Sequence, residues 1–367
     1  MAAVFNRQTL ILSSVFLLNI ICLAWSPDKK EGVSYILRQL AVFLFPLVLS
    51  ATGIDLTANR KKLLQVFGFS LVFVIFYLYA DAIRIILYYK MPVKSLLSQA
   101  FINHNFSGPI GLHATYLSLF VATAATAFLY FLITETNRNR QILYGISLLI
   151  LFAGLIQLSS RSVLISFLLT TAFLFPFFIP KGRKRSLFIV VVLACSLISL
   201  IGIIKVDSLK KRYVAELKTD LTQKSINNDL IESRVTRWKV ILPLVWQSPV
   251  IGHGTGAEKK LLQESYFTNK LYNSYLNELN THNQYLKLWL ETGIIGLLVF
   301  LFTLAWGIVI AVKRRDILFL SFMIMVAIAC FSENMLDVNK GIFFYAFFFS
   351  FFIKESKPGK ENLRFTG

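Results

Sequence analysis

Long apolar runs alternate with short polar connections, most of them basic, along much of this 367-residue chain. Runs long enough to cross a bilayer lie near 8–25, 35–57, 63–89, 113–133, 142–158, 162–180, 186–205, 285–312, 317–334 and 340–353. Each is continuously apolar rather than alternating, which predicts helices and not the strands of a barrel. The last run is short, and 63–89 is long enough to tilt strongly. The expected fold is an all-α polytopic membrane protein with about ten transmembrane helices and a large external helical loop domain. The expected division is a transmembrane region at 1–205, the external domain at 206–282, a second transmembrane region at 283–353 and a cytoplasmic tail at 354–367.

Composition agrees with the bilayer as solvent. Hydrophobic residues make up 56% of the chain and Phe alone contributes 34. A mean hydropathy of +0.64 lies far from the soluble globular range. The net charge of +19 would by itself suggest an acidic partner such as nucleic acid. Its distribution argues otherwise. Arg7; Arg60, Lys61 and Lys62; Arg138 and Arg140; Lys181, Arg183, Lys184 and Arg185; Lys313, Arg314 and Arg315; and Lys354, Lys357, Lys360 and Arg364 all fall on one side if ten helices alternate. The positive-inside rule makes that side cytoplasmic, with both termini inside and 206–282 outside. Little of the charge is left for nucleic acid, and no such partner is expected. The first run could be a signal peptide, but Leu23-Ala24-Trp25-Ser26 is a poor small-residue cleavage site and further spans follow at once. It reads as a retained helix. Cys22, Cys195 and Cys330 all lie within predicted spans, so no disulfide or zinc framework is expected.

Candidate chemistry sits at the external ends of the runs. Asp81 and Arg84 are three apart on one helix face and read as a structural pair. His104 lies in a turn-like stretch and is expected to be solvated; His113 opens a span, where anchoring is the plain reading. Arg161, in Ser159-Ser160-Arg161-Ser162, must sit at the outer boundary in a very short turn with no acidic neighbour in sequence. It could snorkel to lipid phosphate. A planar fork on the side that disfavours cations also suits a diphosphate ligand. Leu209, Tyr213, Leu217 and Leu221 predict an amphipathic helix. Asp229 and Glu232 read as the start of another, with Ile231, Val235, Trp238 and Leu242 on one stripe until Pro243 interrupts it. Arg234 and Arg237 share a face, either solvated or forming an anion site.

Pro249 to Gly256 contains Gly252, Gly254 and Gly256 but lacks the ending of a nucleotide P-loop. It is either a tight turn or a set of amides open to phosphate or sugar. Residues 257–280 read as one amphipathic helix leading to Thr281-His282-Asn283. Taken as a continuous helix from there, His282 and Gly293 share a face, with Trp289 and Gly296 near the same stripe and Glu291 pointing away. His282 is then either a packing residue or a catalytic group at the membrane surface. Glu333 and Asp337 read as solvated loop charges, without a third ligand that would suggest a metal.

His282-Asn283, nine residues, Gly293, two residues, Gly296 resembles the motif of the bacterial O-antigen ligase and O-antigen polymerase superfamily. The likeness extends to Pro249-Val250-Ile251-Gly252-His253-Gly254-Thr255-Gly256, Arg237-Trp238, Arg234, Ser159-Ser160-Arg161-Ser162 and His113-Ala114-Thr115-Tyr116. The resemblance implies up to twelve transmembrane helices in the bacterial inner membrane and transfer of a glycan from undecaprenyl diphosphate to an acceptor hydroxyl, without metal or other cofactor. It implies His282 and Arg161 as catalytic groups; Arg161, Arg234 and Arg237 on the diphosphate; and His113, Tyr116 and Asn283 near acceptor or sugar. The acceptor would be the lipid A core for a ligase, or another lipid-linked repeat for a polymerase. Independently, an outward-facing enzyme lacks ATP and nucleotide sugars and needs a membrane-borne activated donor. A transporter would account for the spans and for Asp81 and Arg84, but no internal repeat or helix broken near its middle is evident in the sequence.

Overall fold

A computed structural model describes residues 6–51, 56–221 and 232–354. The longer helices are α1 (Arg7–Cys22), α2 (Lys29–Ala51), α3 (Leu56–Tyr88), α4 (Ala114–Thr134), α5 (Arg138–Leu158), α6 (Arg161–Phe178) and α7 (Arg183–Lys205). They continue as α8 (Arg234–Gln247), α9 (Ala257–Thr268), α10 (Tyr272–Leu276), α11 (Gln284–Lys313), α12 (Ile317–Ala329) and α13 (Asn339–Lys354). The described residues contain no strand, and eight helices are long and apolar enough to cross a membrane. The all-α polytopic expectation holds. Each of the ten apolar runs contains a helix among the described residues, but the 317–334 run is helical only to Ala329, and α12, at 13 residues, and α13, at 16, fall short of that length. Asp229 and Ile231, and the tail beyond Lys354, lie outside the described residues.

Polar residues set where several helices begin. Asn6 accepts from the Thr9 amide and Asn137 from the amides of Asn139 and Arg140. The run expected from residue 35 instead becomes helical at Lys29. Asp28 Oδ1 accepts the Glu31 amide at 3.0 Å, and Glu31 pairs with Arg38, two turns on, at 2.7 Å.

The chain divides into two compact units. In the first (Met1–Ile54, Glu216–Ile310 and Ala329–Glu355) α1, α2 and α13 pack around Phe16, Ala41, Val42, Ile342 and Ala346. In the same unit α8 and α9 bury Ile241, Val245, Leu262 and Tyr266 against Leu286 and Leu290 of α11. Pro243 does not end α8, and the buried stripe is not the expected one. Arg237, Ile241 and Val245 face inward, while Leu242 is exposed. Residues 257–280 are two helices rather than one, because the chain turns at Lys270 (φ 60°) and again at Glu278 (φ 48°).

The second unit holds α3 to α7 and α12. The small residues Ala122, Ala124, Ala125 and Ala127 are fully buried on α4, the most enclosed span. At one end Arg60 forks onto Asp316 (2.8 and 2.7 Å), and Lys61 and Arg140 both approach Glu135 (2.9 and 3.9 Å). At the other end of α5, Gln157 Nε2 donates to the carbonyls of Leu96 and Phe101. Asp81 and Arg84 form the expected pair at 2.7 Å.

The continuous helix expected through Gly293 is broken there (φ 67°, ψ −171°). The loop 249–256 repairs the break. Amides of His253 and Gly254 donate to the carbonyls of Leu290 and Glu291 (2.9 and 2.8 Å), and the Ile294 amide donates to Pro249 O (2.8 Å). Backbone freed inside an apolar helix needs such partners. A Cβ at Gly293 would lie 2.0 Å from Val250 O, and one at Gly252 would lie 2.4 Å from Glu291 O. Gly293→Ala therefore meets both a steric collision and a backbone region that only glycine occupies comfortably, together about 2–5 kcal/mol. The expected result is a clear fall in thermal midpoint of the detergent-purified protein; an unchanged midpoint would contradict the docking.

Candidate functional site

His282 does not lie on the helix whose face it was expected to share with Gly293. It precedes α11 with a left-handed backbone (φ 47°), and Asn283 caps the helix by accepting the amides of Tyr285 and Leu286 at 3.0 and 3.1 Å. Arg237, brought in from α8, places Nη1 3.2 Å from His282 Nδ1 and donates to Asn280 O at 3.0 Å. Trp238 Nε1 donates to Thr281 O at 2.9 Å. Of the two arginines three apart on α8, Arg237 is buried and Arg234 is partly exposed. The solvated-face alternative fails for Arg237, whose guanidinium is used inside the protein.

Guanidinium only donates, so its bond to Nδ1 requires an imidazole that accepts there and carries its proton on Nε2. His282 Nδ1 also lies 3.1 Å from Asn280 O, a contact that requires the opposite tautomer. The two arrangements exclude each other. Burial, and then the nearby Arg237 cation, lower the His282 pKa to about 4, with Arg234 acting in the same direction. The free protein therefore holds this imidazole neutral at physiological pH.

Behind His282 lies a buried charge cluster that the sequence reading missed. Lys287 Nζ is 2.6 Å from Asp337 Oδ1, 3.3 Å from Glu258 Oε2 and 3.9 Å from Glu291 Oε2, and sits 4.0 Å over the Tyr35 ring. Asp337, expected to be solvated, is part of this core. Burial raises its pKa despite the adjacent Lys287. Burial acts in the same direction on Glu258, but there Lys287 and the hydrogen bonds from Thr281 prevail and the pKa is lowered. The available signal was Lys287 and Glu291, four apart at the start of an apolar run, since charges in a span imply buried partners.

The amides of the three loop glycines, and those of His253 and Thr255, are not open to a phosphate. Those of Gly252, His253, Gly254 and Thr255 donate to the carbonyls of Ser248, Leu290, Glu291 and Cys22, and that of Gly256 to Glu291 Oε1 at 3.0 Å. The loop is a structural clamp on α11. Gly296, further along, lies close to Leu18 of α1.

Arg161, His113 and Tyr116 belong to the second unit. Ser159 (φ 50°) ends α5 and Ser160 precedes Arg161, the first residue of α6, so the short turn is as expected. Arg161 Nη1 lies 3.5 Å from Arg212 O. His113 caps α4 by accepting the Thr115 amide at 3.4 Å, and its ring lies 5.6 Å from that of buried Tyr116. His104, expected to be only solvated, packs against His113 with ring centroids 4.1 Å apart and the planes tilted by 59°, and burial followed by Arg212 lowers its pKa.

Residues 146–301 match the O-antigen ligase family. The matched stretch includes Arg161, Arg234, Arg237, the glycine loop and His282, and it bears out the superfamily resemblance read from the motifs. A Haemophilus influenzae protein described as uncharacterized is 23% identical over 336 residues, covering 85% of this chain and 81% of its own. The family match supports a bacterial multi-pass membrane enzyme that transfers glycans and works on lipid-linked substrates.

Proposed function

We propose that the protein is an O-antigen ligase: it moves a glycan from undecaprenyl diphosphate to a hydroxyl of the lipid A core on the periplasmic side of the inner membrane. The observation that carries this reading is His282 held against Arg237 at the mouth of α11, inside the stretch that matches the family. In the reaction, the acceptor oxygen bonds to the anomeric carbon as the bond from that carbon to the diphosphate oxygen breaks, inverting the centre. Arg234 and Arg237 supply positive charge for the departing diphosphate, and Arg161 of the second unit is assigned a phosphate contact of the same kind. With Arg237 on Nδ1, Nε2–H of His282 orients the acceptor hydroxyl. When Nδ1–H turns to Asn280 O, Nε2 can take the hydroxyl proton. An anionic donor beside the arginines offsets the charge that lowers the imidazole pKa, so the base develops when the donor is in place.

The deciding experiment is mass analysis of lipid-linked and surface glycans in a deletion strain. Loss of a ligase leaves long chains on the lipid carrier; loss of a polymerase, which shares this site, leaves single repeats. Accumulation of neither would remove both readings. Topology follows from the same proposal: reporter fusions should place 181–185 and 313–315 in the cytoplasm and 206–282 outside. A cytoplasmic 206–282 would put His282 on the wrong side from the donor. Arg161→Lys should lose most transfer although its charge is kept, because an ammonium cannot make a forked contact. Near-normal transfer by a normally expressed Lys variant would reduce Arg161 to a lipid anchor.

A further inference from the structure

The three amides around His282 each have a side-chain acceptor. That of Thr281 donates to Glu258 Oε1 at 2.9 Å, that of His282 to Asn280 Oδ1 at 3.0 Å and that of Asn283 to Asn334 Oδ1 at 2.8 Å. Asn334 Oδ1 also accepts the Thr281 hydroxyl at 2.9 Å. Its Nδ2 donates to Glu258 Oε1 at 3.1 Å and to Asp337 Oδ2 at 3.0 Å. The orientation of this buried amide is dictated by its neighbours: a backbone N–H lies on one side and two carboxylates on the other.

We infer that Asn334, seated on Glu258 and Asp337, is a positioning residue that grips the chain on both sides of His282 and holds its ring at Arg237. Three observations support this. The start of α11 is already capped by Asn283 Oδ1, so the Asn334 bonds are not needed for that purpose. His282 has a left-handed backbone (φ 47°), a strained conformation that persists only where the surroundings over-determine it. Both the oxygen and the nitrogen of the Asn334 amide are engaged in this network, and Lys287 anchors the two carboxylates beneath it. The side chain comes from the connection between α12 and α13, so the register of that connection reaches the imidazole through one amide group. The inference rests on the role proposed above for His282, and it adds a residue that touches no reacting atom.

The test uses the purified full-length chain with a lipid-linked glycan donor and compares Asn334→Ala, His282→Ala and the double variant. Asn334→Ala should lower kcat by about 10–100-fold with the donor KM within about threefold, as expected for a misplaced catalytic group. The double variant should be no slower than His282→Ala alone, since a residue acting only through His282 has nothing left to position. Multiplied losses in the double variant, or wild-type turnover in Asn334→Ala, would overturn the inference. If Asn334→Ala does not fold, Thr281→Val removes only the hydroxyl and should lower kcat by about 3–10-fold with Thr281→Ser near wild type; equal behaviour of the two overturns it. Imidazole ¹⁵N resonances give a readout that needs no activity. In wild type those of His282 should report one tautomer, and in Asn334→Ala or Thr281→Val a mixture. Should His282→Ala turn over normally, the proposed function fails, and these resonances still decide whether Asn334 positions the ring: unchanged resonances sink the inference.

Discussion

Lys287→Met is expected to be the most damaging single substitution for folding, lowering stability by about 3–5 kcal/mol. Lys287 is 4% exposed, and its ammonium lies within 4 Å of three carboxylates, those of buried Glu258 and Glu291 and that of largely buried Asp337. Its removal leaves those groups uncompensated in a low-dielectric interior, where loss of one partner costs far more than the pair contributes. Against a total of about 5–15 kcal/mol for a typical domain, that is a large fraction of the stability. The effect carries a pH signature. Without the cation, Glu258 and Asp337 bind protons more tightly in the folded state than in the unfolded one, so the variant should regain stability as pH falls toward the ordinary carboxylate range. Thermal unfolding of wild type and variant across pH 4 to 8 measures both effects. A midpoint within a degree or two of wild type would show that the cluster does not depend on Lys287.

His282→Ala is expected to leave the protein folded and to lower turnover by about 10²–10⁴, the usual contribution of a positioned acid or base. Donor affinity should survive, because the diphosphate is assigned to arginines. The pH profile sharpens this expectation. A neutral imidazole is the active form, so activity is lost as protonation sets in. With a pKa lowered to about 4 by burial and Arg237, the acid limb of kcat/KM, which reports the free enzyme, should fall near pH 4 rather than near 6.5. The acid limb of kcat should lie higher, since the bound donor is an anion beside Arg234 and Arg237. An acid limb of kcat/KM at 6.5, or donor affinity lost together with turnover, would remove the assignment.

Two substitutions separate the local from the tertiary part of this design. Gly293→Ala acts on a bond pattern between α11 and a loop about forty residues earlier, and Lys287→Met on partners reached from α9 and from the connection before α13. Neither partner set is visible in hydrophobic periodicity, which reports only neighbours along the chain.

The sequence by itself determined where the helices lie, because apolar runs of membrane length have no other way to satisfy their backbone. It also marked the polar residues at the ends of those runs, His282 and Asn283 before α11 and Arg161 in its tight turn, and the pair of arginines on α8. Tertiary structure decided the rest. That α11 breaks at Gly293, that the glycine loop is consumed in repairing it, and that Arg237 turns inward to His282 all depend on contacts distant in sequence. Asp337 reads as a solvated loop charge and becomes a buried partner only because Lys287, fifty residues away, arrives beside it. A charge cannot stay unpaired in such an interior, but which partner it finds is settled by packing and is not written in its neighbours.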